Sequence, residues 1–379
     1  MDIPVRRLWL AVLCGYLAFG ATLQVLPMYV PATFGGGAAA SGTAVGIAFL
    51  ATACARPFAG WLADAGWSRP VVLTGGVLAA IGGLGQLFAP QLSVLLVARL
   101  VMGAGEAALF SAALPWVLTG ARVGRRGQLA GWFGLSMWGG LAGGPVLATA
   151  LVRLVGGVEV VWWVVVALCL APVVLVATTR SDPGRSEPLA RVRALRDLVP
   201  SGVQLPGAII GLAAYCYGTV AALLVLRSAH LWIADYALTV FAVAFLLLRF
   251  AGSPLVDRFG GRLVALATAA VEIVALLGIA LADDPAMVLG CTALAGFGMA
   301  LVYPAGVSMT LDRVRGQRPG LSMGVMTSFW DLGVLVAGPL GGLIAERSGF
   351  PAAFLVAAAA GLASVGVLLR MPRRARSPR

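Results

Sequence analysis

The chain has 379 residues, of which 60% are hydrophobic and only 11% charged. A soluble domain carries about 25% charged residues, so an ordinary water-facing surface is excluded. The formal net charge of +12 comes from 27 basic residues, all of them arginine. They cluster in short breaks between apolar stretches, which points to membrane topology and away from a nucleic-acid-binding face.

Hydropathy divides the chain into twelve apolar runs: 8–30, 41–63, 70–89, 91–119, 127–151, 158–178, 206–226, 231–253, 262–282, 285–311, 320–344 and 351–370. Each has about the length that a helix needs to cross a bilayer. The fold class expected is therefore an all-α membrane protein with twelve transmembrane helices. Pro115, Pro145, Pro304 and Pro339 fall inside runs, where spanning helices tolerate them. The first run follows Arg6 and Arg7 as a signal sequence would, but it is too long and no small-residue cleavage site follows, so it reads as a retained helix. It carries Tyr16 and Gln24 eight residues apart, on one helix face.

After the second run comes GWLADAGWSR (60–69), with Asp64 and Arg69. The fourth run holds Arg99 and Glu106 seven residues apart, on one face and about 10 Å apart along the axis. Charges inside spanning helices face a bundle interior or a water-filled cavity. Burial and a nearby cation act on a carboxyl's proton affinity in opposite directions. Glu106, with Arg99, is thus a candidate for proton coupling; the alternative is a structural contact with neighbouring helices. Gly103 and Gly105 between them allow close approach of another helix or a ligand.

The longest break reads as a Pro-, Gly- and charge-rich linker over 181–205, whose middle (189–198) could form a short surface helix. It separates an N-terminal six-helix half (1–180) from a C-terminal one (206–370), which a basic tail follows at 371–379. In the seventh run Tyr215 and Thr219 share a face. After the eighth, SPLVDRFGGR (253–262) repeats the loop of the first half: Asp64 maps to Asp257 and Arg69 to Arg262, both at an offset of 193. Gly144-Pro145 maps to Gly338-Pro339 at an offset of 194. Agreement between unrelated motifs argues for a duplicated unit, and parallel six-helix repeats with a site between them are a known transporter plan. Asp331 lies near the middle of the eleventh run and is a second candidate proton site. Glu272 in the ninth run reads as structural, and Asp235 as a solvated helix end.

Arg6, Arg7, Arg69, Arg122, Arg125, Arg126, Arg258, Arg262, Arg313, Arg370 and the linker and tail arginines fall on one side, against Arg153, Arg227 and Arg347 on the other. The positive-inside rule makes that side, with both termini, cytoplasmic, and the chain a multi-pass protein of the cytoplasmic membrane. Cys14, Cys54, Cys169, Cys216 and Cys291 sit in apolar runs without a C-x-x-C pair, and His230 is the single histidine. They read as small core residues, so no metal or other cofactor is expected. No G-x-x-x-x-G-K-[ST] loop for ATP occurs.

These features resemble the major facilitator superfamily over nearly the whole chain. The family's loop after helix 2, G-x-L-a-D-R-x-G-R-R, is matched by Gly60, Leu62, Ala63, Asp64 and Arg69, with Ala65 and Trp67 departing from it. The second copy keeps Leu255, Asp257, Arg258, Gly260 and Arg262. Arg99, Gly103 and Gly105 resemble the family's R-x-x-Q-G-x-G, with Met102 in place of Gln. Gly140, Gly144 and Pro145 resemble the helix-5 element of proton-driven drug exporters, although Ala148 and Thr149 replace two glycines; Gly338, Pro339, Gly341 and Gly342 keep that pattern in the eleventh run.

The resemblance implies two pseudo-symmetric six-helix bundles and a monomer. It makes Asp64, Arg69, Asp257, Arg258 and Arg262 gating residues, and Gly140, Gly144, Pro145, Gly338 and Pro339 packing or hinge positions. Helices 1, 4, 7 and 10 line the family's cavity, which implies Tyr16, Gln24, Phe110, Tyr215, Thr219, Met299 and Tyr303 as lining residues, with Trp138 and Trp330 as added aromatic walls. Such a lining suits an amphiphilic molecule, and a cation stacks on its rings. The expectation is a secondary transporter, not an enzyme, that exports a small amphiphilic drug or metabolite in exchange for protons by alternating access. Its partners are that small molecule, protons and the bilayer, with no nucleic acid. Proton-coupled uptake of a metabolite uses the same residues, and a non-transporting membrane sensor or enzyme is the alternative of another class.

Overall fold

Among the described residues, twelve helices are long and apolar enough to cross a membrane, and they follow the twelve apolar runs in order. The computed structural model describes residues 4–119, 126–179, 202–314 and 319–371. The expected linker helix at 189–198, the tail beyond Met371 and the side chains of Asp64 and Asp257 lie outside the described residues. In chain order the helices are α1 (Val5–Phe34), α2 (Ala38–Leu62), α3 (Ser68–Leu87), α4 (Leu92–Thr119), α5 (Arg126–Leu154), α6 (Glu159–Ala177) and α7 (Gln204–Arg227). They continue as α8 (Ala234–Phe259), α9 (Gly261–Leu281), α10 (Pro285–Ala300), α11 (Val302–Val314), α12 (Pro319–Ser348) and α13 (Phe350–Arg370).

The tenth run forms two helices, α10 and α11, where one was expected. Its start follows from sequence: the Asp284 side chain accepts the Met287 N–H at 2.9 Å and Pro285 takes the first helical position. Its break has a chemical cause. Pro304 has no N–H to offer the Ala300 carbonyl four residues back, and the helix turns at Leu301. The Arg249 guanidinium of α8 fills the gap, with Nη1 donating to the Ala300 oxygen at 3.1 Å.

The turns of the two halves match. Between α2 and α3 the backbone turns at Gly66 (φ 86°), and between α8 and α9 at Gly260 (φ 84°). The first loop thus keeps its left-handed glycine one place before the Trp67 that departs from the family pattern. Gly156 before α6 and Gly349 before α13 repeat the arrangement, with φ of 86° and 84°.

Helices α1–α6 pack mainly on one another, as do α7–α13, and the two bundles meet where α2 lies on α12, α5 on α8 and α1 on α7. Small residues set these approaches. Gly144 lies directly on Gly20 and Ala21 of α1, and Gly140 on Leu13, Tyr16 and Leu17. Gly338 faces Gly42 across the bundle interface, backbone against backbone, and Gly342 faces Ala38. Without a hydrophobic force between helices in lipid, close packing of this kind holds them together. Pro145 and Pro339 sit inside α5 and α12, which continue through them.

Candidate functional site

Between the bundles lies a cavity with about 410 Å³ of empty volume, walled by Tyr16, Phe19, Trp138, Tyr303 and Trp330. Three charged side chains from three helices point into it: Arg56 of α2, Glu106 of α4 and Asp331 of α12. Side chains divide the space, so voids of water size are what remains in this conformation.

Arg56 and Asp331 form an ion pair across the two bundles. Arg56 Nε donates to Asp331 Oδ2 at 2.6 Å and Nη2 to Oδ1 at 3.4 Å, with exposures of 6% and 0%. Nη2 also reaches the Tyr16 hydroxyl at 3.5 Å, and that hydroxyl donates to the Glu106 main-chain oxygen at 3.4 Å. The carboxyl oxygens of Glu106 are buried and have no hydrogen-bond partner among the described residues. They rest against Gly15 of α1, where a Cβ would stand 2.8 Å from Oε2. An ionised carboxylate in such a place is costly unless it is paired.

Arg99 lies in the same helix but is held elsewhere. Its Nε donates to the Ala44 carbonyl at 3.0 Å, Nη1 to Thr22 Oγ1 at 2.8 Å and Nη2 to the Val45 carbonyl at 3.2 Å. Its charged carbon sits 4.9 Å from the centre of the Phe19 ring. The shared face thus serves two environments, with Arg99 joining α4 to α1 and α2 while Glu106 faces the cavity.

A second, apolar cavity, likewise reduced to voids of water size in this conformation, adjoins the first, and Trp138 and Leu141 belong to both walls. It lies among α1, α5, α7 and α8, with Tyr217, Phe241 and Phe245 on its far side. The Trp138 ring meets Trp330 edge-to-face at 5.1 Å between ring centres and lies tilted against Tyr303 at 5.3 Å and Phe245 at 5.6 Å. Arg249 stands 5.6 Å from the same ring.

Of the residues picked from sequence, Tyr16, Trp138, Tyr303 and Trp330 line the charged cavity. Phe110 packs behind Tyr16 and against Phe133, and Thr219 turns back to the Tyr215 carbonyl. Tyr215 and Met299 are buried away from both cavities. Gln24 reaches the Asp235 main-chain oxygen at 3.5 Å, where Thr149 also donates at 3.0 Å. Arg153 pairs with the Asp235 carboxylate at 3.4 Å, so Asp235 is a meeting point of the bundles. Glu272 is buried on α9 against Gly298 of α10. Arg56 and Phe19 in the charged cavity, and Tyr217, Phe241 and Phe245 in the apolar one, are participants that sequence reading passed over. Arg56 carried a signal, a charge inside an apolar run.

The expected gating arginines bond within their own bundles: Arg69 donates to the Ala177 carbonyl at 2.7 Å, and Arg262 to the Leu369 carbonyl at 3.1 Å. These two bonds tie matching helix ends of the two halves. Arg258 is exposed beside the Phe259 ring, at 5.2 Å. At the end opposite the termini the bundles are drawn together, with Glu346 Oε1 accepting the Ala39 N–H at 2.8 Å and Gly42 meeting Gly338. No group of three or more potential metal ligands occurs among the described residues.

A family model described as Major Facilitator Superfamily matches residues 8–236 and 205–379. The chain belongs to the major facilitator superfamily. Within it, the chain is 30% identical over 376 residues to the uncharacterized MFS-type transporter YhhS of Escherichia coli (strain K12), covering 96% of this chain and 90% of that one. An uncharacterized MFS-type transporter of Burkholderia mallei (strain SAVP1) is 32% identical over 382 residues, with 95% and 90% covered.

Solved transporter structures share the fold at low identity. A mutant form of the nucleoside transporter NupG superposes with a TM-score of 0.76 at 13% identity, covering 97% of this chain and 99% of that one. A bacterial homolog of the human lysosomal transporter Spinster, inward-facing and unoccupied, gives 0.75 at 14%, with 97% and 94% covered. The human organic anion transporter MFSD10 gives 0.70 at 15%, with 96% and 98% covered. The protein is therefore a multi-pass secondary transporter that moves a small molecule through a membrane, and not an enzyme.

Proposed function

We propose that this transporter exchanges protons for a small amphiphilic compound, in particular an organic cation, and exports it from the cytoplasm by alternating access. The observation that carries the reading is the Glu106 carboxyl, buried without a hydrogen-bond donor among the described residues in an aromatic-walled cavity between the bundles. A carboxyl there is stable with a proton on it or with a cation against it. The two occupants compete, and competition at one group is the simplest basis for exchange. The adjoining apolar cavity supports an amphiphile, because a charged head at Glu106 and a ring system beyond Trp138 match the two compartments.

In this cycle the halves 1–180 and 206–370 rock about the bundle interface. With the termini in the cytoplasm, the contacts at Ala39–Glu346 and Gly42–Gly338 are the closed outer gate. The Arg56–Asp331 pair joins the two bundles at the cavity and is the pivot about which that gate opens. Asp331 stays the paired partner of Arg56, and Glu106 carries the exchanged proton. Asp64, Arg69, Asp257, Arg258 and Arg262 act at the inner gate when the cavity faces out.

The test is accumulation of ethidium, an aromatic monocation, in an efflux-deficient host that expresses the chain, with and without a proton ionophore. Export lowers accumulation and the ionophore restores it. Glu106→Gln abolishes the difference while inserting normally. Full gradient-driven export by that variant sinks the reading, and raised accumulation by the wild type points to uptake instead.

A further inference from the structure

The charged cavity holds two carboxyls and one guanidinium, and the geometry distributes them unequally. Arg56 grips Asp331 with two nitrogens, and both groups are buried. Glu106 receives no donor among the described residues. Arg99 has its three nitrogens on Ala44, Thr22 and Val45, and Arg249 donates to Ala300. The other titratable groups that bear on Glu106 are Cys14 and Tyr16 of α1 and Cys169 of α6. Tyr303 bears on Asp331 and shares its hydroxyl bond with Thr327 at 3.0 Å. None of these side chains places a donor on the Glu106 carboxyl, so Arg56 is the group that decides how many carboxyls remain open.

We infer that Arg56 sets the charge capacity of the site: by neutralising Asp331 across the bundles it leaves Glu106 as the single exchangeable carboxyl, so the site takes one proton or one monovalent organic cation. The substrate half of this inference rests on the function proposed above; the charge assignment rests on geometry alone. The exchange balances. A cation arriving at the Glu106 carboxylic acid displaces its proton, the carboxylate pairs with the cation, and one positive charge leaves for each that enters. Transport is then one-for-one and electroneutral, and follows a pH gradient independently of membrane potential. A dication brings one charge that the site cannot match, and an unmatched charge in a low-dielectric cavity is excluded.

Two measurements on the purified full-length protein test this. The first is substrate-free: infrared difference spectra on titration, read at the protonated-carboxyl stretch. The wild type shows a band that Glu106→Gln lacks. Arg56→Gln gains a further band, and Arg56→Gln/Asp331→Asn does not; the buried Glu272 contributes equally throughout and cancels. If Arg56→Gln fails to fold, Asp331→Asn serves, since it frees Arg56 to face Glu106 and the Glu106 band weakens. An Asp331 band already present in the wild type, or no gain in Arg56→Gln, overturns the assignment.

The second compares equilibrium binding of ethidium and propidium, a monocation and a dication on one ring system. The wild type prefers ethidium by about tenfold and releases one proton per ethidium. Arg56→Gln loses the preference, and the double variant regains it. Equal binding of both cations by the wild type, or an unchanged preference in Arg56→Gln, overturns the inference. Binding of neither cation by a protein with the expected spectra overturns the proposed function and leaves the assignment of Arg56 standing.

Discussion

Two charges on one face of α4 have parted company. Arg99 is fully buried, and its three nitrogens donate to oxygens of α1 and α2. Glu106 touches Gly15 and the cavity with no such bonds among the described residues. Substitution should therefore separate them. Arg99→Leu gives up three charge-assisted hydrogen bonds and a ring contact, a loss on the order of 2–3 kcal/mol in a membrane bundle. Thermal unfolding in detergent should show it as a clearly lowered Tm. Glu106→Gln removes a carboxyl with no donor to lose, so its Tm should stay at the wild-type value while coupled transport fails. A similar fall in Tm for both variants would mean that Glu106 is a structural contact as well. The seven-residue spacing made both residues legible. It did not reveal their division of labour, because carbonyl acceptors on α2 and the bare wall at Gly15 come from other helices.

Among the elements, the tenth span shows how a local rule recruits a distant residue. Pro304 was legible as a proline inside an apolar run, and so was Arg249 as a charge inside another. Only the packing of α8 on α10 brings the guanidinium to the carbonyl that the proline leaves without its helical donor. Arg249→Ala should leave that carbonyl unpaired and cost about 1–3 kcal/mol. Pro304→Ala restores an N–H and should rescue most of the loss in the double variant. A double-mutant cycle on unfolding reads the coupling directly, and simple additivity would mean that the two residues act independently. Arg56 belongs with this pair as a charge in an apolar run, but its partner lies 275 residues away, out of reach of any helical spacing.

For the molecule as a whole, the matching turns at Gly66 and Gly260, and at Gly156 and Gly349, show two copies of one backbone course. The matching bonds from Arg69 and Arg262 close their corresponding helix ends. An even number of spans puts both termini at one face of the bilayer, and the arginines crowd that face. The bias predicts that this face is cytoplasmic, and reporter fusions check it. Green fluorescent protein fused after Arg379 should fluoresce, and alkaline phosphatase fused in the turn at His230 should be active. The reverse pattern would invert the membrane orientation and turn the proposed export into uptake.

The amino-acid sequence by itself determined the class of the molecule. The length and apolarity of the runs, the arginine-rich breaks and the doubled loop and Gly-Pro motifs lie along the chain, and the bilayer reads them as one-dimensional signals. It also picked out Glu106, Asp331 and Arg99, because a charge in a spanning helix is conspicuous wherever its partner lies. The tertiary structure alone decided which carboxyl is paired and which is open, which aromatic rings face the cavity, and which end of the interface is closed. Those properties depend on helix rotation and on contacts between bundles. In lipid such contacts are set by close packing at glycines such as Gly42 and Gly338, which no periodicity within a single helix reveals.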